Sequence, residues 1–191
     1  MRLRWAPSAK GDKVALTPLA HHMLTHIMVM NLLVPAVLLA APRNWLSWAW
    51  RFWPHATAAQ LVLLWGWHSP PVLAAAMASP LLMASMHASL SLAAAVFWAG
   101  IIAMPATGRW RSIFALLVTG KLFCLLGVLL VFAPRSVYDL PMSQGAVSPL
   151  ADQQLAGLIM VVACPLTYVL AGVFIAARWF LALEAQGRLN G

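Results

Sequence analysis

From Thr17 to Gly108 the chain carries only two charged side chains, Arg43 and Arg51. The segments 17–40, 57–78 and 80–104 have no Lys, Arg, Asp or Glu, and 112–132 has only Lys121. A run of about 20 apolar residues is what a helix needs to cross the hydrocarbon core of a bilayer. Inside that core every backbone amide must pair within the chain, so the choice narrows to helices or closed barrels, and runs of this length select helices. Only 8% of the residues are charged and 63% are hydrophobic, against roughly 25% charged in a soluble domain. The expected fold is an all-α integral membrane protein. It is a bundle of five transmembrane helices, over about 17–40, 57–78, 80–104, 112–132 and 149–179. A basic tail precedes them at 1–16, a single transmembrane domain fills 17–180, and a short tail follows at 181–191.

The formal net charge of +8 does not point to nucleic acid. The basic residues fall mostly in tails and short loops, where membrane topology accounts for them. The first residues are basic but contain no apolar stretch and no small-residue cleavage site, so a cleaved signal peptide is not expected. Cys124 and Cys164 lie inside apolar runs. They read as small buried hydrophobes and argue against a surface disulfide framework.

Prolines and small polar residues punctuate the spans. Thr17-Pro18 and Ser148-Pro149 are cap and first-turn pairs that start helices. Pro35 is expected to kink the far end of the first helix. Ser69-Pro70-Pro71 breaks the second span and frees backbone carbonyls at membrane depth, which protein or a cavity must satisfy. Between the first two spans, Trp45, Trp48, Trp50 and Trp53 stand with Arg43 and Arg51. That is the composition of a segment lying at the headgroups, with His55 beside it.

The polar residues within the spans carry the functional signal. His22, His26 and Met30 are four apart and share one helix face. With five alternating spans, the start of helix 1, the end of helix 2, the start of helix 3 and the start of helix 5 lie on one side. His22 and His26 are then about five and nine residues deep, His68 about ten and His87 about eight. Each residue along a helix advances about 1.5 Å, so these depths match. Met83, Met86 and His87 share one face of helix 3, and Asp152, Gln153 and Met160 descend helix 5. The candidate metal ligands are His22, His26, His68 and His87. Met23, Met30, Met83, Met86 and Met160 are possible secondary ligands. Asp152 and Gln153 would support the ligands from the loop side.

Each residue also has a plainer reading. Methionines on membrane helices commonly fill space, a membrane histidine can hydrogen-bond between helices, and Asp152 near a helix start complements the dipole. Lys121 can reach the interface along its aliphatic stem. Four histidines at one depth favour a shared site, since ionisable groups inside a membrane are costly and kept for function. Imidazole and thioether with few carboxylates suit copper better than magnesium or calcium, and the thioethers suit Cu(I) better than zinc. The alternative is a haem-binding membrane cytochrome or electron-transfer subunit using the same histidines. A third reading is a scaffold whose histidines only bond between helices. A metal hydrolase lacks a glutamate base in the membrane, because Glu184 falls in the C-terminal tail.

The combined motifs resemble the CtaG family of cytochrome c oxidase assembly factors, of the caa(3) type. They are His22-Met23 with His26, Trp65-Gly66-Trp67-His68-Ser69-Pro70, His87, Phe97-Trp98, and Asp152-Gln153-Gln154-Leu155-Ala156-Gly157. They are spread over most of residues 17–180. The family often has more spans than the five for which this chain has room. The resemblance implies a non-enzymatic protein that helps mature a haem-copper oxidase by handling copper. Its expected partners are an oxidase subunit or another copper carrier, together with the lipid bilayer. Positive charge is divided almost evenly between the two sides and fixes no orientation. Because the oxidase's copper centre lies nearer the outer face, the histidines are expected in the outer half of the cell's inner (plasma) membrane.

Overall fold

The computed structural model describes residues 17–138 and 147–189. Every regular element among them is helical. The chain runs through α1 (Pro18–Met28), a π-helical turn at Val29–Leu33, α2 (Val34–Ala40), and the short α3 (Arg43–Leu46). It continues as α4 (Trp53–Trp67), α5 (Pro70–Ala78), α6 (Pro80–Ile102), α7 (Arg109–Phe132) and α8 (Pro149–Leu189). Among the described residues four stretches are long and apolar enough to cross a membrane: Pro18–Ala40, Pro80–Ile102, Ala106–Phe132 and Pro149–Arg188. Arg43–Trp67 and Pro70–Ala78 reach that length and apolarity only as a pair, and the pair is bent by 74° at the double proline, the geometry of a broken span or a re-entrant loop.

Two proline effects shape the wall that carries the first histidines. Pro35 has no N–H to offer the Asn31 carbonyl, and its ring would crowd that oxygen in a regular turn. The helix answers by widening: Val34 N–H bonds to Val29 O, five residues back. The kink expected at Pro35 is thus a π-turn one step before it. At the second break, His68 N–H still reaches Leu64 O at 3.1 Å, while Pro70 and Pro71 start a new helix in a new direction.

The helices close into a ring. α8 packs along α7 and against α1, α2 and the π-turn pack on α6, α6 packs on α4, and α4 returns to α7. α7 and α8 approach closely at two glycines, Gly127 and Gly157. A Cβ on Gly157 would lie 2.7 Å from Gly127 O, and one on Gly127 would lie 2.9 Å from Gly157 O. Small residues permit such contact where lipid supplies no hydrophobic drive between helices.

Tyr168 of α8 occupies the middle of the ring and is 1% exposed. Its ring stacks on Trp98 of α6 at 5.5 Å and meets Phe123 of α7 edge-on at 5.5 Å. Its hydroxyl donates to Asn31 Oδ1 in the π-turn at 3.1 Å and accepts from Gln60 Nε2 of α4 at 3.0 Å. Trp98 Nε1 donates to Met30 O at 3.0 Å. These bonds pair the Tyr168 hydroxyl, Asn31 Oδ1, Gln60 Nε2 and Trp98 Nε1 at membrane depth, where water is not at hand to do so.

Two boundaries differ from the sequence expectation. The Trp-rich segment is not a simple loop: α3 and a 3₁₀ turn at Ala49–Phe52 lead directly into α4, with Trp45 and Trp48 exposed and Ala49 buried. Residues 181–189 continue α8 rather than forming a tail. Their Ala, Leu, Glu and Gln are strong helix formers. Glu184 and Arg188 pair across one turn at 3.5 Å. At 41 residues α8 is about 60 Å long, twice the hydrocarbon thickness, so one end projects beyond it. The basic tail expected at 1–16 lies outside the described residues.

Candidate metal centre

His22 and His26 sit one turn apart on α1, which is held from across the bundle. The carboxylate of Asp152 accepts hydrogen bonds from Leu19 N at 3.1 Å and Ala20 N at 3.0 Å. Those amides belong to the first turn, which has no partners within its own helix. Thr17, the expected cap, makes no side-chain cap bond. Asp152 therefore caps α1 from α8 and fixes the height of both histidines, without touching an imidazole as a direct orienting partner would.

His22 and His26 meet through their Nε2 atoms, 3.1 Å apart. Two imidazole lone pairs reach that separation only by sharing a proton or a cation. His87 of α6 completes the group: its ring stacks on His26 at 4.4 Å between centroids, and lies 5.6 Å from His22. One ring nitrogen from each of His22, His26 and His87 lies within 4.8 Å of the others. His22 and His26 are buried and His87 is half-buried. The fourth ring, His68, stands 5.8 Å from His26 and 6.3 Å from His22. It is a neighbour of the trio, not a member.

Two of the imidazoles are oriented by backbone carbonyls. His68 Nδ1 lies 2.7 Å from Leu64 O and His87 Nδ1 2.8 Å from Met83 O. A carbonyl only accepts, so each Nδ1 carries the proton and each Nε2 keeps a lone pair. This is the carbonyl–histidine arrangement that commonly orients metal ligands.

The double-proline break is closed by a residue that the sequence did not single out. Tyr138 donates its hydroxyl to His68 O at 2.9 Å. In an unbroken helix that carbonyl would bond to Val72 N, which here turns to Ser69 O. Burial pushes the Tyr138 phenol up to about 12, so it acts as a neutral donor. Gln153, fully buried, positions the loop that carries it: Val137 N donates to Gln153 Oε1 at 2.7 Å, and Gln153 Nε2 donates to Leu130 O at 3.1 Å. Gln153 thus acts on His68 through the loop and Tyr138. A free carbonyl after a double proline was the sequence signal that such a donor was needed.

The methionines divide into two sets. Met23, Met30 and Met160 line a cavity of about 20 Å³ with His26 and His68, bordered also by Asn31 and Cys164. Met83 and Met86 do not line it. Met86 is fully buried in the core, and Met83 contributes its carbonyl to His87.

A helical membrane bundle with a buried imidazole trio and a cavity partly lined by thioethers beside it brings together donor types that suit soft or borderline metal ions. Residues 4–182 match the family described as cytochrome c oxidase caa3 assembly factor (Caa3_CtaG). The chain belongs to that family. No curated protein and no solved structure matches it.

Proposed function

We propose that this protein binds Cu(I) within the membrane and delivers it during maturation of a haem-copper cytochrome c oxidase. The observation that carries this reading is the convergence of one nitrogen each from His22, His26 and His87 within 4.8 Å. His68 and the thioethers of Met23, Met30 and Met160 stand beside that group. Copper is cargo here, and the donor set suits it. Neutral imidazoles bind without releasing a proton, and thioethers are soft ligands that release Cu(I) readily.

The supporting residues make the cluster a preformed receiver. Asp152 sets the height of α1, the Leu64 and Met83 carbonyls orient His68 and His87, and Tyr138 holds the broken helix end. Asp152, the acidic residue nearest the cluster among the described residues, is engaged on backbone amides and serves to hold α1 in place. The cavity of about 20 Å³ has room for an ion or one water and not for a macrocycle, which favours copper over haem. The recipient in this reading is an oxidase subunit or another copper carrier. The site faces the outer half of the plasma membrane.

Purified protein, reduced and anaerobic, is expected to take up copper, with marked loss in His26→Ala and His87→Ala. Wild-type protein that binds no copper would overturn the proposal. A Soret absorption band in the freshly purified protein would replace it with the cytochrome reading.

A further inference from the structure

Two buried groups outside the imidazole trio come together at one cavity. One is Cys164, 2% exposed on α8. The other is the Nε2 atom of His68, 3% exposed as a residue, which has no hydrogen-bond partner. Both residues line the same cavity, together with Met23, Met30, Met160 and His26. Met30 lies one helical turn beyond His26, about 6 Å farther along the axis. The cavity therefore begins at His26 and extends about one helical turn deeper than the trio.

Its chemistry is specific. His68 is anchored to its own helix through Nδ1, so the opposite ring edge bears the unpartnered lone pair. A thiol and three thioethers, good ligands for soft cations, share the lining with His26, the Asn31 amide and the apolar side chains of Ile27, Leu64 and Phe123. The volume of about 20 Å³ admits one small occupant.

The geometry points to a second soft-cation site, in which Cys164 Sγ, His68 Nε2 and the thioethers of Met30 and Met160 hold one monovalent copper ion. His26 borders both sites and links them. This inference rests on the reading that copper is the cargo, and adds a second, sulfur-rich station to it. On binding, the S–H bond of Cys164 breaks, an S–Cu bond forms and the proton leaves to solvent. No electron is transferred. The thiolate cancels the charge of the ion, which matters at membrane depth, where an uncompensated cation is costly. The trio cannot do this, since neutral imidazoles leave the complex positive.

The test uses the full chain in detergent, reduced and anaerobic, titrated separately with Cu(I) and Ag(I). Metal per chain is counted after gel filtration, and X-ray absorption at the copper edge identifies the ligands. Wild type is expected to hold two ions, with sulfur among the ligands. Cys164→Ser is expected to hold one ion, with most of the sulfur signal gone. The His22→Ala/His87→Ala double variant is expected to hold one ion with the sulfur signal kept. Cys164→Ser binding as much copper as wild type would overturn the second site. So would wild-type copper with nitrogen ligands only, a result independent of whether any variant folds, and one that leaves the trio intact. Wild type that binds neither metal would remove both sites together.

Discussion

Tyr138 and His68 are 70 residues apart, and the hydroxyl of one donates to the backbone carbonyl of the other at 2.9 Å. This bond decides whether a helix broken at membrane depth is satisfied or strained. His68 stands at the end of α4, anchored by its own N–H and its Nδ1 to Leu64 O, and the chain turns away just after it. Tyr138, in the loop after α7, thus supports the site through the backbone carbonyl of His68.

Removing that hydroxyl should be felt twice. Tyr138→Phe leaves a buried carbonyl without a donor, which costs about 1–3 kcal/mol. Thermal unfolding in detergent should register the loss. Copper affinity should fall about 10-fold or more, as it does when an outer partner of a ligand is removed. An unchanged melting temperature and affinity would show that the bond positions nothing.

Asp152 offers a test of the clamp on α1. Asp152→Ala removes both acceptors and should destabilise the protein by about 1–2 kcal/mol, in the range of a lost helix cap. Asp152→Asn keeps one acceptor oxygen and should lose less. Copper affinity is expected to follow the same order, because His22 and His26 move with α1. Equal behaviour of the two variants would refute the clamp.

The trio and its neighbour should separate by substitution. His22, His26 and His87 each place a nitrogen in the cluster, while His68 stands apart. His26→Ala should weaken binding most, by more than the roughly 10–100-fold seen for outer partners of metal ligands. His26 faces all three other histidines at 4.4 Å, 4.4 Å and 5.8 Å between ring centroids. A titration in which His68→Ala is the more damaging change would relocate the primary site.

Gly157→Ala tests the α7–α8 contact. Its Cβ would lie 2.7 Å from a backbone oxygen, which cannot give way as a flexible side chain can. Overpacking of this kind costs about 1–3 kcal/mol. Gly172→Ala serves as the control, since nothing lies within 4 Å of its Cβ. Matching stability of the two variants would rule out a tight helix pair.

Local periodicity made much of this architecture legible. The uncharged runs announced the spans, the four-residue spacing put His22 and His26 on one face, and helical rise set His68 and His87 at the same depth. What periodicity could not reach were relations across the bundle. Nothing near Asp152 marks Leu19 and Ala20, more than 130 residues earlier, as its partners. Gly127 and Gly157 form their contact from different helices, so no spacing within either helix reveals it. Gln60, Asn31 and Tyr168 are unremarkable singly and become a network only when three helices meet. The extension of α8 past residue 179 was missed for another reason: hydrophobicity marks where a membrane span ends, and helix propensity can outlast it.

The π-turn at Val29–Leu33 makes the first span two helical wheels joined by a phase shift. Each extra residue in a turn rotates everything after it by about 100°. The face that bears His22 and His26 is therefore indexed from the Asp152 clamp, and the α2 surface that packs on α6 is indexed separately from Pro35. Changes in one can accumulate without rotating the other. A single-residue deletion within 29–33 would merge the two wheels, and would swing α2 about its axis while leaving the hydropathy of the span intact.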